Sequence, residues 1–156
     1  MTKTIATACV AGLLAIPAFA GGHATGDAEA GEKAFNQCKA CHAIVDADGN
    51  DVVKGGKTGP NLFGLPGRTA GTQEDFSKYK KSIVAAGEGG LVWDEASFVA
   101  YVQDPNAFLK EVTGDSKARS GMAFRVRKED DAANLWAYIA SVSPEPEMME
   151  KTEDGS

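Results

Sequence analysis

The chain has 156 residues, 43% of them hydrophobic and 24% charged. That is one domain's length with ordinary globular composition, and it excludes a collagen-like chain, a disulfide-dense miniprotein and a polytopic membrane protein. With 22 acidic against 16 basic side chains, the net charge of -6 repels phosphate and speaks against a nucleic-acid binder.

In chain order, residues 1–20 hold one charged side chain, Lys3, then the apolar stretch from Ile5 to Ala15 and the ending Ala18-Phe19-Ala20. A basic start, a short apolar core and an Ala-x-Ala end predict a secretory signal peptide cleaved after Ala20, and hence export to the periplasm. An uncleaved N-terminal anchor is the competing reading. The stretch is short and broken for a spanning helix, and no later one replaces it, so stable membrane insertion is not expected. Without Lys3, 15 bases against 22 acids leave -7. Of three cysteines, Cys9 lies in the leader, so Cys38 and Cys41 remain. A bridge across two intervening residues would add little stability, so this pair needs another explanation.

Residues 21–26 are small and polar and read as a flexible arm before a body at 27–142. Asp27 reads as the N-cap of a first helix, about 28 to 40, with Gly31, Phe35 and Cys38 on one face. Residues 43–71 carry nine glycines and prolines from Gly49 to Gly71 and read as loop. So long a stretch without periodicity implies that something else organises it, such as a large ligand wrapped by the loop. Thr72-Gln73-Glu74-Asp75 looks like a capping box opening a second helix to about Ala86, stopped by Gly87, Gly89 and Gly90. Asp94 caps a third helix with Phe98, Tyr101 and Val102 on one face. Asp104-Pro105 opens a fourth, which closes at Gly114. Residues 115–128 are irregular. Glu129-Asp130-Asp131 opens the last helix, with Leu135, Tyr138, Ile139 and Val142 on one stripe. No strand and no internal repeat is expected. Residues 143–156 hold five acids, one base and two prolines, and read as an acidic disordered tail.

Cys38-Lys39-Ala40-Cys41-His42 is C-x-x-C-H, the attachment motif of a c-type haem. Two thiols three residues apart reach the two vinyl groups on one porphyrin edge, and the next residue brings an imidazole under the iron. A thioredoxin-like pair would sit between a strand and a helix, a context missing here. A zinc site would need further ligands, and the one other histidine of the exported chain is His23, in the arm. For a sixth iron ligand the chain offers His23, Met122, Met148 and Met149, or an open position. A lone methionine is usually core filler, but methionine sulfur is a common partner opposite histidine.

The ordered set Cys38-Lys39-Ala40-Cys41-His42, Thr58-Gly59-Pro60-Asn61-Leu62, Gly67-Arg68-Thr69-Ala70-Gly71, Leu91-Val92-Trp93, Tyr101-Val102-Gln103-Asp104-Pro105, Met122-Ala123-Phe124 and Leu135-Trp136-Ala137-Tyr138 resembles the class I c-type cytochromes, bacterial cytochrome c2 and c-550 group. The likeness runs from about Gly31 to Val142. It implies an all-α class I cytochrome c fold, about five helices and long loops round one haem c held by Cys38 and Cys41. It further implies His42 as proximal and Met122 as distal iron ligand, with the Pro60 carbonyl on the other imidazole nitrogen. Tyr101 would hydrogen-bond near the Met122 sulfur, and Arg68, Tyr79 and the Trp93 indole would satisfy the propionates. Gly31, Phe35, Leu135 and Tyr138 would form the crossing of first and last helices. The 71–90 and 115–121 segments exceed those of small mitochondrial members and match the longer c2 type.

With both axial positions filled, substrate cannot reach the iron, so the resemblance implies a carrier and no enzyme. Electrons would come from a membrane quinol–cytochrome c oxidoreductase and pass to a photosynthetic reaction centre, a terminal oxidase or a denitrification enzyme. The alternative is a haem enzyme or gas sensor with an open sixth position. Residues 110–128 hold six bases against two acids, +4 around Met122, and Lys39, Lys54 and Lys57 are placed to join them. This predicts a basic face at the haem edge of a monomer, steering it to acidic membrane-bound partners.

Overall fold

The computed structural model describes residues 24–144. The leader at 1–20, the arm up to His23 and the tail from Glu145 lie outside the described residues.

Asp27 starts the first helix, α1 (Ala28–Ala34), where its side chain accepts the Ala30 N–H at 3.0 Å. The helix does not run on as an α-helix to residue 40. It tightens into a 3-10 segment, Phe35–Ala40, and Cys41 and His42 both donate their N–H to the Cys38 carbonyl, at 3.0 and 2.9 Å. A small antiparallel pair follows, β1 (Ile44–Val45) and β2 (Asp51–Val53), with Ile44 opposite Val53. No strand was expected there. Two and three residues are too short to show alternation, and the pairing is closed by a side chain: the Asp46 carboxylate takes the N–H groups of Asp48 and Asn50 at 3.0 and 2.7 Å.

The second helix corrects the capping-box reading. Residues 72–80 are not helical, and α2 spans Lys81–Glu88 with no side-chain cap. The Thr72 hydroxyl donates backwards, to the Thr69 carbonyl at 2.8 Å, and the Gln73 side chain is taken by Arg68. Both groups are therefore spent on the preceding loop. Gly87 lies inside α2 and does not stop it; a Cβ there would sit 2.0 Å from the Ala70 carbonyl oxygen, so the glycine lets the loop cross the helix closely.

The remaining helices start and stop at the expected signals. In α3 (Glu95–Gln103) Asp94 and Ser97 form a reciprocal capping box. In α4 (Pro105–Thr113) Asp104 caps Ala107, Pro105 occupies the first turn, and Gly114 closes with φ 68°. Three acids occupy the first turn of α5 (Glu129–Ser141), where the helix dipole favours them.

The core forms where α1 and the following turn cross α5. Phe35 is fully buried, its ring 5.6 Å from that of Tyr138, and Leu135 and Ile139 lie beside them. Burial of one such ring is worth about 1.5–3 kcal/mol. A Cβ on Gly31 would stand 1.9 Å from the Asn134 carbonyl oxygen, so only glycine allows this spacing. Phe98 of α3 packs on Trp136 at 5.4 Å. A second aromatic group joins Trp93, Tyr101 and Phe108, with Tyr101 5.2 and 5.8 Å from its neighbours.

Both edges of the body extend further than expected. Of the arm at 21–26, Thr25 bonds the Glu95 carboxylate at 3.1 Å and Gly26 lies against α5 at Ala133. At the other end the Ser143 hydroxyl bridges the Ile139 carbonyl, at 2.7 Å, and the Gly64 N–H, at 2.9 Å. Small polar side chains looked like linker in the sequence because their partners lie far away in the chain.

Candidate functional site

The 3-10 turn sets Cys38 and Cys41 one turn apart, with His42 following directly. No disulfide joins the two cysteines; Cys38 is half-buried and Cys41 exposed. Burial and the neighbouring Cys41 push the Cys38 thiol up to about 11. A dithiol redox centre needs a lowered thiol pKa, so this environment opposes that use of the pair. Among the described residues no three His, Cys, Asp or Glu side chains converge as metal ligands.

The glycines of the following loop wrap this turn. Gly56 and Gly59 donate to the carbonyls of Lys39 and Cys41, each at 2.8 Å. A Cβ on Gly59 would come within 2.4 Å of the His42 ring, and one on Gly55 within 1.9 Å of the His42 carbonyl oxygen. Glycine here serves the close approach of backbone to imidazole. His42 Nδ1 lies 2.8 Å from the Pro60 carbonyl oxygen. A carbonyl only accepts, so Nδ1 carries the proton and Nε2 keeps its lone pair. Burial holds the His42 pKa below its ordinary value of 6.5, partly offset by the Pro60 bond, and the ring is neutral at pH 7. A neutral imidazole with its tautomer fixed fits an iron ligand.

Met122 is half-buried against the core. The Ser120 hydroxyl accepts the Met122 N–H at 2.9 Å and lies 2.8 Å from the Tyr101 phenol oxygen. The Ser120 N–H donates to Asn106 at 2.9 Å, and the Arg119 N–H to Ser82 at 3.0 Å. On the far side the Val126 N–H donates to the Val102 carbonyl at 2.9 Å. The Met122 loop is thus clamped to α2, α3 and α4. The Tyr101 phenol meets the Ser120 hydroxyl, and burial raises its pKa.

Arg68, Tyr79 and Trp93 fall in one neighbourhood. The Trp93 N–H donates to the Arg68 carbonyl at 3.0 Å, and the Trp93 ring packs on Tyr101. The Arg68 guanidinium donates to the carbonyls of Asn61 and Phe63, at 3.0 and 3.2 Å, and to the Gln73 side chain. Burial lowers the Arg68 pKa, but a guanidinium remains charged. Burial raises the Tyr79 phenol, and the nearby Arg68 charge partly opposes it. Trp93 is 8% exposed. A buried guanidinium beside a phenol and an indole is a polar cluster whose chemistry suits a carboxylate-bearing cofactor.

Ser120, Asn106, Ser82 and Asn61 escaped the sequence reading. Asn61 closes the loop after His42 by pairing both ways with the Val45 backbone, at 2.9 and 2.8 Å. Ser120 and Asn61 also accept the N–H two residues on, but the bonds that join them, Asn106 and Ser82 to other elements span 14 to 37 residues, and no local pattern marks those.

No protein-family model matches the chain. It is 54% identical over 142 residues to a cytochrome c2 of Cereibacter sphaeroides, covering 90% of this chain and 96% of the relative. It is 53% identical over 143 residues to a cytochrome c-551 of Roseobacter denitrificans, covering 92% and 97%. The crystal structure of cytochrome c2 from Rhodobacter sphaeroides superposes with a TM-score of 0.75 at 56% identity, over 78% of this chain and 99% of that one.

Proposed function

Since the chain belongs to the cytochrome c2 family of class I c-type cytochromes, with one haem c bound covalently through Cys38 and Cys41, we propose that it is a periplasmic carrier whose iron is held between His42 and Met122. The haem iron supplies the chemistry, alternating between ferric and ferrous by one electron. His42 binds through Nε2, and the Pro60 carbonyl fixes that orientation by holding the proton on Nδ1. Gly59 and Gly55 let the loop close on the imidazole and exclude water from it. Met122 supplies the thioether sulfur, and Ser120, anchored to Tyr101 and Asn106, holds the segment that presents it. Arg68, Tyr79 and the Trp93 indole would satisfy the propionates, which would otherwise be costly to bury.

With His42 and Met122 both holding the iron, the chain would leave no position for substrate, and the activity that remains is electron transfer. A methionine ligand raises the reduction potential. The chain would take its electron from a membrane quinol–cytochrome c oxidoreductase and deliver it to a reaction centre, a terminal oxidase or a denitrification enzyme. Lys117, Arg119, Arg125, Arg127 and Lys128 are all exposed beside Met122 and form the basic docking face. The exported chain would be released as a monomer by cleavage after Ala20. No helix among the described residues is long and apolar enough to cross a membrane.

The orientation of His42 carries this reading, because it prepares one nitrogen, and one alone, for a metal. Carbon monoxide added to the reduced holoprotein at neutral pH tests it. No spectral change is expected, because Met122 occupies the sixth position; ready binding would favour a gas sensor or haem enzyme.

A further inference from the structure

Gln73-Glu74-Asp75 sets one amide before two acids in the loop ahead of α2. Glu74 and Asp75 are exposed, whereas Gln73 is half-buried and its side-chain oxygen accepts a hydrogen bond from Arg68 Nη1. The inward place in an acidic run thus goes to its neutral member. The other acceptors on the Arg68 guanidinium are the Asn61 and Phe63 carbonyls, at 3.0 and 3.2 Å. All three are uncharged. Among the described residues the one ion pair is Arg125 with Asp104, at 3.1 Å, so none of their carboxylates pairs with Arg68. A guanidinium keeps its charge when buried. These partners therefore orient a full positive charge without cancelling it. Gln73 also acts on a second residue of the cluster, through its backbone N–H on the Tyr79 phenol oxygen. The Phe76 N–H donates to the Gln73 carbonyl at 3.1 Å, a turn that fixes the residue between the two.

We propose that Gln73 is a positioning residue of the redox centre: it aims the Arg68 guanidinium at a carboxylate of the cofactor and, being neutral, leaves that charge in force, which holds the midpoint potential up. The proposal rests on the reading of Arg68 as a propionate partner. A loop that had only to be pinned would be pinned better by a carboxylate. Glutamate has the same reach and accepts the same N–H, and a charge-assisted bond is roughly twice as strong as a neutral one. The cost of that stronger pin falls on the redox centre. A second anion on Arg68 would leave the cofactor carboxylate less compensated. Uncompensated negative charge favours the ferric state, which carries one positive charge more than the ferrous. The amide gives the geometry and withholds the charge.

The test compares the holoprotein with its Gln73→Glu, Gln73→Leu and Ser77→Glu variants by redox titration and by chemical unfolding. Gln73→Glu keeps the length and the bond and adds one negative charge. Its one-electron equilibrium should move toward ferric by about three- to tenfold, a unit charge felt across roughly 12–25 Å at an effective dielectric constant of about 20. Tenfold is a fall of about 59 mV in the midpoint of a one-electron couple. Gln73→Leu, which releases the guanidinium without adding charge, should lower the midpoint by less. Ser77→Glu puts the same charge on an exposed position of the same loop, where solvent screens it, and should shift the midpoint less than half as far as Gln73→Glu. A residue that merely pins the loop gives a different pattern: Gln73→Leu unfolds more easily, Gln73→Glu does not, and neither moves the midpoint. That pattern overturns the proposal. So do equal shifts in Gln73→Glu and Ser77→Glu, which would make the charge of the loop the cause and not the contact with Arg68. Arg68→Gln separates the proposal from the reading beneath it. A parent midpoint in Arg68→Gln means that Arg68 does not act on the cofactor. A lowered midpoint there, with none in Gln73→Glu, means that the role of Gln73 alone is wrong.

Discussion

At the scale of single residues, position in the chain and position in space diverge most for the small polar side chains. The thiols and His42 are legible because the attachment chemistry needs them adjacent, and Asp94, Asp104 and Pro105 because capping is local. Ser120, Asn106 and Asn61 act across loops, and nothing beside them in sequence marks their partners. The caps offer a direct measurement. Hydrogen bonds from Ser97 hold the Asp94 carboxyl below the ordinary carboxylate range. Its folded pKa is thus lower than its unfolded one, so its contribution is complete above the unfolded value and is lost as pH falls through the folded value. Asp94→Ala should cost about 1 kcal/mol at pH 7, by analogy with other caps. Denaturant curves should show that gap closing as pH falls below the ordinary carboxylate pKa of about 3.9. A gap that is constant with pH would mean that the carboxylate is not the group at work.

At the scale of elements, the helices with periodic apolar faces and caps were readable, and the short or borrowed structure was not. The two-stranded pair at 44–53 is closed by the Asp46 side chain and is too brief to carry a pattern. The 72–80 stretch has the residues of a helix start, but Arg68 and the Thr69 carbonyl claim them first. The glycines of the long loop lie against the His42 turn, a close approach that no periodicity in the sequence marks. The crossing of α1 and α5 depends on a single missing methyl. Gly31→Ala improves helix propensity by about 1 kcal/mol, yet its Cβ would meet the Asn134 carbonyl oxygen at 1.9 Å and Tyr138 Cβ at 2.8 Å. Backbone cannot swing aside as a side chain can, so the overpacking penalty, up to about 3 kcal/mol, should prevail. We expect a net loss of about 2 kcal/mol in chemical unfolding of the holoprotein; unchanged or increased stability would show that the helices can separate freely.

At the scale of the whole molecule, sign and distribution of charge matter more than the total. A net charge of -6 would repel acidic partners, but the six bases against two acids at 110–128 are concentrated beside Met122. On the proposed reading such a distribution would turn an approaching molecule before contact. The second-order rate of electron transfer to an acidic membrane-bound acceptor should therefore fall as ionic strength rises from about 0.01 to 1 M, as the screening length shrinks from roughly 30 to 3 Å. A rate indifferent to salt would assign docking to uncharged contacts. The fold itself is legible through the ordered motifs, and the 54% identical cytochrome c2 matches the chain over 96% of its own length. Composition alone would have supported any small helical protein.

The iron's coordination underlies every functional statement made for this chain, and Met122→Ala addresses it directly. The far-red sulfur-to-iron absorption band of the oxidised protein should be present in the parent and absent in the variant, whose midpoint potential should fall and whose reduced form should bind carbon monoxide. The same band and the same midpoint in both proteins would contradict a His42–Met122 iron.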